Sequence, residues 1–323
     1  MKSSSNESFP EDRADEVTSS HQYKDTTLTP TTIQRVKEGV AAASDRAVRQ
    51  TIAEILPRLE AIGQGHPETR VHAIVRRCVL RSLIHALFRV RIENLDRIPQ
   101  KPAILAANHL HHIDPLLLLG ELPTHPHYYV LGDARTLYNK LWKRFTLRLV
   151  GGVIPLERIW KEEVAVMEAA KAGREDLREL ATAIEENVPT GGDVQTLRQI
   201  DRIVMGILSQ GDGLVLFPEG RLGSAEGQLH LPLKRGTVIY ALRAGVPIIP
   251  VVIIGTHDLY LGKELTVRFG EPLYFSQTSR IKRQEVDTAL EVVQNAMLNL
   301  LPTNYQEPKG PKFFRHFLNH LLW

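Results

Sequence analysis

Between about residue 92 and residue 275 the chain alternates short apolar runs with longer stretches of helical spacing. The runs are residues 103–107, 128–131, 153–156, 214–217, 248–254 and 265–269. Their length reads as strands, and the intervening patterns read as covering helices. The prediction is an α/β fold, with a central mostly parallel or mixed sheet flanked by helices. Ahead of it, Val48, Ile52, Ile55, Leu56, Leu59 and Ile62 recur at helical spacing, with Pro57 as an expected kink or local break. A second helical pattern joins Val71, Ile74, Val75, Cys78, Val79, Leu83, Leu87 and Val90, while Arg70, Arg76, Arg77, Arg81 and Arg89 occupy its other faces. These two make an N-terminal helical pair. Residues 160–210 read as two charged helices with a flexible tip at 189–193. The chain ends in a narrow helical stripe of Phe313, Phe314, Phe317, Leu318, Leu321 and Leu322, with Trp323.

The first 30 residues are polar, rich in Ser, Thr, Asp and Glu, and too poor in large apolar groups to offset their ordering entropy. The expected organisation is therefore a disordered polar tail over 1–30 and a helical pair over 31–91. An α/β domain follows over 92–300, then a linker with a C-terminal amphipathic helix over 301–323.

Composition narrows the class. With 43% hydrophobic residues, 323 residues can build a large core. The net charge of +3 is small, and no basic run of the nucleic-acid-binding kind is present. Nucleic acid is not an expected partner. The sequence pI near 8.9 is compatible with an anionic membrane surface or an acidic carrier protein. Cys78 is the single cysteine, so a disulfide framework within the chain is excluded and a reducing compartment is allowed. No apolar signal-peptide core follows the first residues, and no apolar run approaches the roughly 18 residues of a spanning helix. The expected location is cytoplasmic, with any membrane contact at the surface.

The chemistry concentrates in two segments at predicted strand ends. The first is Asn108-His109-Leu110-His111-His112-Ile113-Asp114. A hydroxyl becomes a competent nucleophile when a positioned imidazole takes its proton, and the imidazole needs a carboxylate to hold its tautomer. His109 and Asp114 suit those roles. Five positions on an ideal helix turn about 500°, so the pair meets only if a turn separates them. The spacing by itself favours a plain polar loop with no catalytic role. A metal cluster of His109, His111, His112 and Asp114 is a further reading, disfavoured because adjacent His111 and His112 rarely point to one centre. The second segment is Phe217-Pro218-Glu219-Gly220-Arg221, where Gly220 permits a tight turn and Arg221 offers a fork of donors suited to phosphate. An ordinary strand end with an exposed arginine is the bland alternative. If the two strands run parallel, His109 and Glu219 share one rim of the sheet, where open α/β sheets place ligands. Arg158, Lys234 and Arg235 are further cations near predicted strand or helix ends.

At this point the chain resembles the phospholipid/glycerol acyltransferase family, typified by 1-acylglycerol-3-phosphate acyltransferases. The resemblance covers about residues 85–275 and rests on four blocks in order. These are the His-x4-Asp block at 108–114, residues 152–158, residues 217–221, and the apolar 246–251. It implies His109 as general base, Asp114 as its orienting carboxylate, Glu219, Gly220 and Arg221 shaping the acceptor site, and Arg221 with Arg158 on the acceptor phosphate. It further implies acyl-CoA or acyl carrier protein as co-substrate, a lysophospholipid as acceptor, a membrane surface as partner, and no metal or redox cofactor. Two departures stand out. Arg221 follows Gly220 directly where the commoner pattern interposes Thr, and Pro155-Leu156-Glu157 is an atypical lead-in to Arg158. The competing classes are a metal-dependent hydrolase built on the histidines and a non-catalytic lipid-binding protein.

Overall fold

The structure is a computed structural model that describes residues 27–66, 70–141, 143–144, 147, 151–188, 194–278 and 280–321. The described residues fall into two compact units. One takes the chain up to Gln50 together with Glu157–Val194, and the other takes Thr51–Leu156 together with Gln195 onward.

The larger unit is built on a sheet of seven strands. These are β1 (Arg89–Glu93), β2 (Ile104–Ala107), β3 (Tyr128–Asp133), β4 (Val153–Leu156), β5 (Gly213–Leu216), β6 (Ile248–Ile254) and β7 (Glu264–Phe269), in the order β1-β7-β6-β2-β5-β3-β4. Strands β2 to β6 run parallel where they pair. β7 is antiparallel to β6, and β1 is parallel to β7. The sheet is therefore mixed, as the alternating pattern predicts. Every residue of β2, β5 and β6 is buried. Strands covered on both faces must be apolar at every position, which is why these segments read as continuous runs. Each such Leu, Ile or Val side chain contributes about 1.5–3 kcal/mol relative to exposure. The apolar 246–251 block thus forms the buried start of β6.

Helices α1 (Pro30–Ser44), α2 (Arg46–Gly63) and α3 (Arg70–Leu87) precede the sheet. The expected pair is α2 and α3, and α1 is an addition that the polar-to-apolar change near residue 30 does not advertise. Thr29 caps α1 by accepting from the Thr32 amide at 3.2 Å. Residues 1–26 of the expected tail lie outside the described residues. The expected break at Pro57 does not occur, because α2 runs through it with Ile52, Leu56 and Leu59 buried on one face. Burial of those turns outweighs the one lost backbone bond, and Pro57 itself is exposed. Likewise Val90, although in helical register with Leu87, belongs to β1. Pairing with β7 from Arg89↔Glu264 onward ends the helical pattern, and that partner lies far along the chain.

The smaller unit packs α1 with α6 (Lys161–Lys171) and α7 (Arg178–Asn187). The remaining helices are α4 (Asp114–Glu121), α5 (Ala134–Tyr138), α8 (Val194–Ser209), α9 (Gly236–Ala244), α10 (Arg283–Leu300) and α11 (Arg315–Leu321). The unit's core is Val36, Val40, Ala43, Val166, Leu177, Ala181, Ile184 and Val188. Residues 160–210 thus carry three helices rather than two, since Gly173 at φ 99° ends α6 and a 3-10 turn at Glu175–Leu177 starts a new one. The expected tip, residues 189–193, lies outside the described residues. In the larger unit α2 and α8 touch at Gly63 and Gly206, where a Cβ on Gly206 would stand 2.7 Å from the Gly63 carbonyl oxygen. Only glycine allows the two backbones that close. Among the described residues no helix is long and apolar enough to cross a membrane.

Candidate active site

The parallel pairing of β2 with β5, Ala106↔Leu216, puts both chemistry-bearing segments on one rim at the carboxyl ends of the strands. The β2 strand stops at Ala107 because Asn108 takes over its ladder with a side chain. The Asn108 amide donates to the Ile253 carbonyl at 2.9 Å, and its oxygen accepts from the Ile253 amide at 2.6 Å. The main chain is thereby released into a turn that ends where α4 begins, with Asp114 in the first turn of that helix and Pro115 beside it. A carboxylate at this end is favoured by the partial positive charge of unpaired helical amides.

The turn is folded around one oxygen. Asp114 Oδ2 accepts from the Leu110 amide at 2.7 Å, the His111 amide at 2.8 Å and His109 Nδ1 at 2.9 Å. Asp114 is completely buried, while the His109 side chain is 17% exposed. Because the carboxylate is an acceptor, Nδ1 is the donor of this bond, and Nε2 is left for other partners. The Phe217 ring lies over the imidazole, centroids 4.3 Å apart and planes 25° from parallel. The ring is thus held by a hydrogen bond at one atom and by stacking on one face.

Glu219 joins the two segments. It is 2% exposed, and its Oε1 accepts from the His109 amide at 2.9 Å while Oε2 accepts from the His230 amide at 2.6 Å. Burial pushes its carboxyl above the usual range, and the two backbone donors pull against that shift. Gly220 turns the chain at φ 65°, and the Gly223 amide donates to the His109 carbonyl at 2.6 Å. Both backbone groups of His109 are therefore tied to the second segment. We expect Glu219→Ala to lower stability by about 1–3 kcal/mol, because the His109 and His230 amides lose their acceptor in a buried place. Chemical denaturation measures this, and an unchanged midpoint would show that the carboxylate is dispensable to the fold.

Arg221 is exposed, and its Nη2 stands 2.6 Å from His230 Nδ1. The guanidinium can only donate, so His230 accepts at Nδ1. Arg235, expected among the rim cations, instead pairs with Asp287 of α10 at 2.8 Å. Lys234 is exposed, and its amide holds the Pro218 carbonyl at 2.6 Å. β4 ends on the same rim, but Arg158 lies past its end, half-buried, in the Glu157–Val194 part of the smaller unit. The rim of the larger unit therefore assembles His109, Asp114, Glu219, Gly220 and Arg221. Of the other histidines in the turn, His111 is buried with its pKa held down by that burial, and His112 is half-buried. Among the described residues no group of three or more His, Cys, Asp or Glu is disposed to hold a metal ion.

Three buried or part-buried polar residues outside the two segments are not singled out by sequence reasoning, and of these His230 touches the site. His230 sits in an irregular loop with no periodicity to mark it. Arg135 is 1% exposed and follows the β3 end on this same rim. Lys143 donates to the Thr136 carbonyl at 3.1 Å, and burial lowers its pKa to about 8.

A turn-mounted His–Asp pair on the carboxyl rim of a mixed α/β sheet, backed by a Glu-Gly-Arg turn from the next strand, defines a class. A family model described as acyltransferase matches residues 89–254, a little over half the chain, and the chain belongs to that family. Among curated relatives it is similar to a 1-acyl-sn-glycerol-3-phosphate acyltransferase of Cocos nucifera, 30% identical over 117 residues, covering 35% of this chain and 37% of the relative. It is also similar to a probable 1-acyl-sn-glycerol-3-phosphate acyltransferase of Mycoplasma pneumoniae, 25% identical over 201 residues and 61% of each chain. The chain thus spans less than two thirds of these relatives' lengths. Among solved structures, it is similar to the 1-acyl-sn-glycerophosphate acyltransferase PlsC of Thermotoga maritima at 18% identity, with a TM-score of 0.43 over 83% of this chain and 88% of that one.

Proposed function

We propose that the protein moves a fatty acyl group from a thioester, on coenzyme A or acyl carrier protein, to the hydroxyl of a lysophospholipid. The acceptor that fits best is 1-acylglycerol-3-phosphate, giving phosphatidic acid. The observation that carries this reading is the His109 Nδ1–Asp114 bond, which leaves Nε2 as a proton acceptor at the sheet rim. Family membership and the names of the similar relatives support the choice of reaction.

The chemistry then runs without an acyl-enzyme. His109 Nε2 takes the proton of the acceptor hydroxyl as its oxygen attacks the thioester carbonyl. Asp114 stabilises the imidazolium that forms. Collapse of the tetrahedral intermediate breaks the carbon–sulfur bond, and the imidazolium proton passes to the departing thiolate. The products are an ester and a free thiol, and the base is regenerated. No metal or redox cofactor is needed for these steps.

The test is an acceptor panel with one acyl thioester, read by mass spectrometry of the lipid product. Esterification of 1-acylglycerol-3-phosphate is the expected result. Thioester hydrolysis with no acceptor esterified would overturn the proposal. For the phosphate, Arg221→Ala is expected to cost about 1.5–3 kcal/mol, roughly ten- to hundredfold in kcat/KM for a phosphate-bearing acceptor. The thioester KM should stay near its original value. Unchanged acceptor kinetics in this variant would remove the phosphate role from Arg221.

A further inference from the structure

The His109 turn is tied at its start by Glu219 and Gly223. Its middle depends on a different part of the chain. His111 holds Asp114 with both backbone groups: its amide donates to Asp114 Oδ2 at 2.8 Å, and its carbonyl accepts from the Asp114 amide at 3.0 Å. A displaced His111 main chain therefore displaces the carboxylate that orients His109. The His111 side chain is 5% exposed and has no part in the proton transfers described above. Its Nδ1 accepts from the Ile113 amide at 3.3 Å. A ring that accepts at Nδ1 and is kept neutral by burial carries its hydrogen on Nε2. That Nε2 is buried and finds no partner inside the turn. Burial lowers the His111 pKa, and the Asp114 charge and then the Asn319 backbone oppose the effect, so the Asn319 main chain lies against the ring.

Asn319 belongs to α11, beyond residue 254, where the acyltransferase match ends. The helix expected over the whole C-terminal aromatic stripe starts only at Arg315, after Phe314 takes a left-handed φ of 57° that a helix does not use. Short α11 is nevertheless fixed firmly. The Asn319 side chain brackets Leu259, accepting from its amide and donating to its carbonyl, each at 3.0 Å. Asp258, the residue before, binds Lys312 and Arg315, each at 2.7 Å. Leu318 is buried in the same core as Ile113, Leu117 and Leu259. β6 is parallel to β2, so the chain leaving β6 at residues 255–263 emerges on the His109 rim. The clamp on α11 is thus built beside the turn that carries His109 and Asp114. Asn319 links the two, with its side chain on Leu259 and its backbone against His111.

We propose that His111 and Asn319 are positioning residues for acyl transfer: the C-terminal segment, through Asn319, holds His111, and His111 holds Asp114 against His109. The proposal rests on the reading of His109 as the base. Small displacements of a catalytic group cost rate rather than substrate affinity. Neither residue is assigned a contact with acceptor or thioester, so the effect belongs in kcat.

The experiment is a double-mutant cycle on the full chain, read as kcat and KM for thiol release from one acyl thioester with 1-acylglycerol-3-phosphate. His111→Leu and Asn319→Ala should each lower kcat by about tenfold or more, with both KM values and circular dichroism unchanged. The double variant should be no slower than the slower single one, because both substitutions break one chain of contacts. His111→Gln keeps a donor near the Nε2 position and should recover most of the rate. His111→Asn keeps only an acceptor for the Ile113 amide and should not. Additive losses, a loss carried by KM, equal rates in the glutamine and asparagine variants, or normal turnover in Asn319→Ala would each overturn the proposal. Should His111→Leu fail to fold, the glutamine–asparagine comparison and Asn319→Ala decide by the same criteria. Failure of the base reading is separable. Near-normal turnover in His109→Ala removes that reading, whereas lost turnover there with normal turnover in His111→Leu removes the positioning role alone.

Discussion

Asp114→Asn is expected to lower kcat by on the order of 10³–10⁴-fold while leaving the acceptor KM nearly unchanged. The carboxylate Oδ2 accepts from two backbone amides and from His109 Nδ1 inside a fully buried turn. An asparagine oxygen can keep the two backbone bonds, so the turn should survive with a modest shift in melting temperature. The imidazolium formed during attack loses the negative charge that stabilises it, and the amide group can present N–H to Nδ1 and impose the wrong tautomer. The measurement is steady-state kinetics of thiol release beside a thermal melt. Turnover within a few-fold of the unmodified protein would mean that Asp114 only builds the turn. Asp114→Ala is not an equivalent test, because the Leu110 and His111 amides would also lose their acceptor and the fold would suffer with the chemistry.

His109→Ala is expected to cut kcat by about 10²-fold or more, the usual contribution of a general base, with the protein still folded. The substitution keeps the backbone bonds to Glu219 and Gly223 and removes only the ring, which is partly open to solvent and stacked on Phe217. A melt within a few degrees of the original, alongside the loss of turnover, separates a chemical role from a structural one. Near-normal turnover would refute the mechanism.

The elements legible in the sequence were those whose signal is local. β2, β5 and β6 announce themselves because a strand buried on both faces must be apolar throughout, and α2 and α3 because one face of each alternates at helical period. The His-x4-Asp and Glu-Gly-Arg segments were legible for a related reason. Each sits directly after an apolar run, so the strand end and the reactive residues are adjacent in the chain. Fold class, the two site segments and the family resemblance all follow from such short-range patterns.

What depended on distant partners was not legible. β1 carries a helical register through Val90 and becomes a strand only because β7, far along the chain, supplies its backbone bonds. Pro57 stays inside α2 because buried turns on either side hold the helix. Arg235 is drawn to Asp287, and His230 is brought to Glu219 and Arg221, by a loop path that no periodicity encodes. The sequence by itself determined which residues are candidates for the chemistry and which runs are core, since composition and spacing act through neighbours. Only the tertiary structure decided which of those residues meet and that Asp114 Oδ2 gathers three donors. Those outcomes are set by hydrogen bonds and packing between segments far apart in the chain, for which a single sequence carries no local signature.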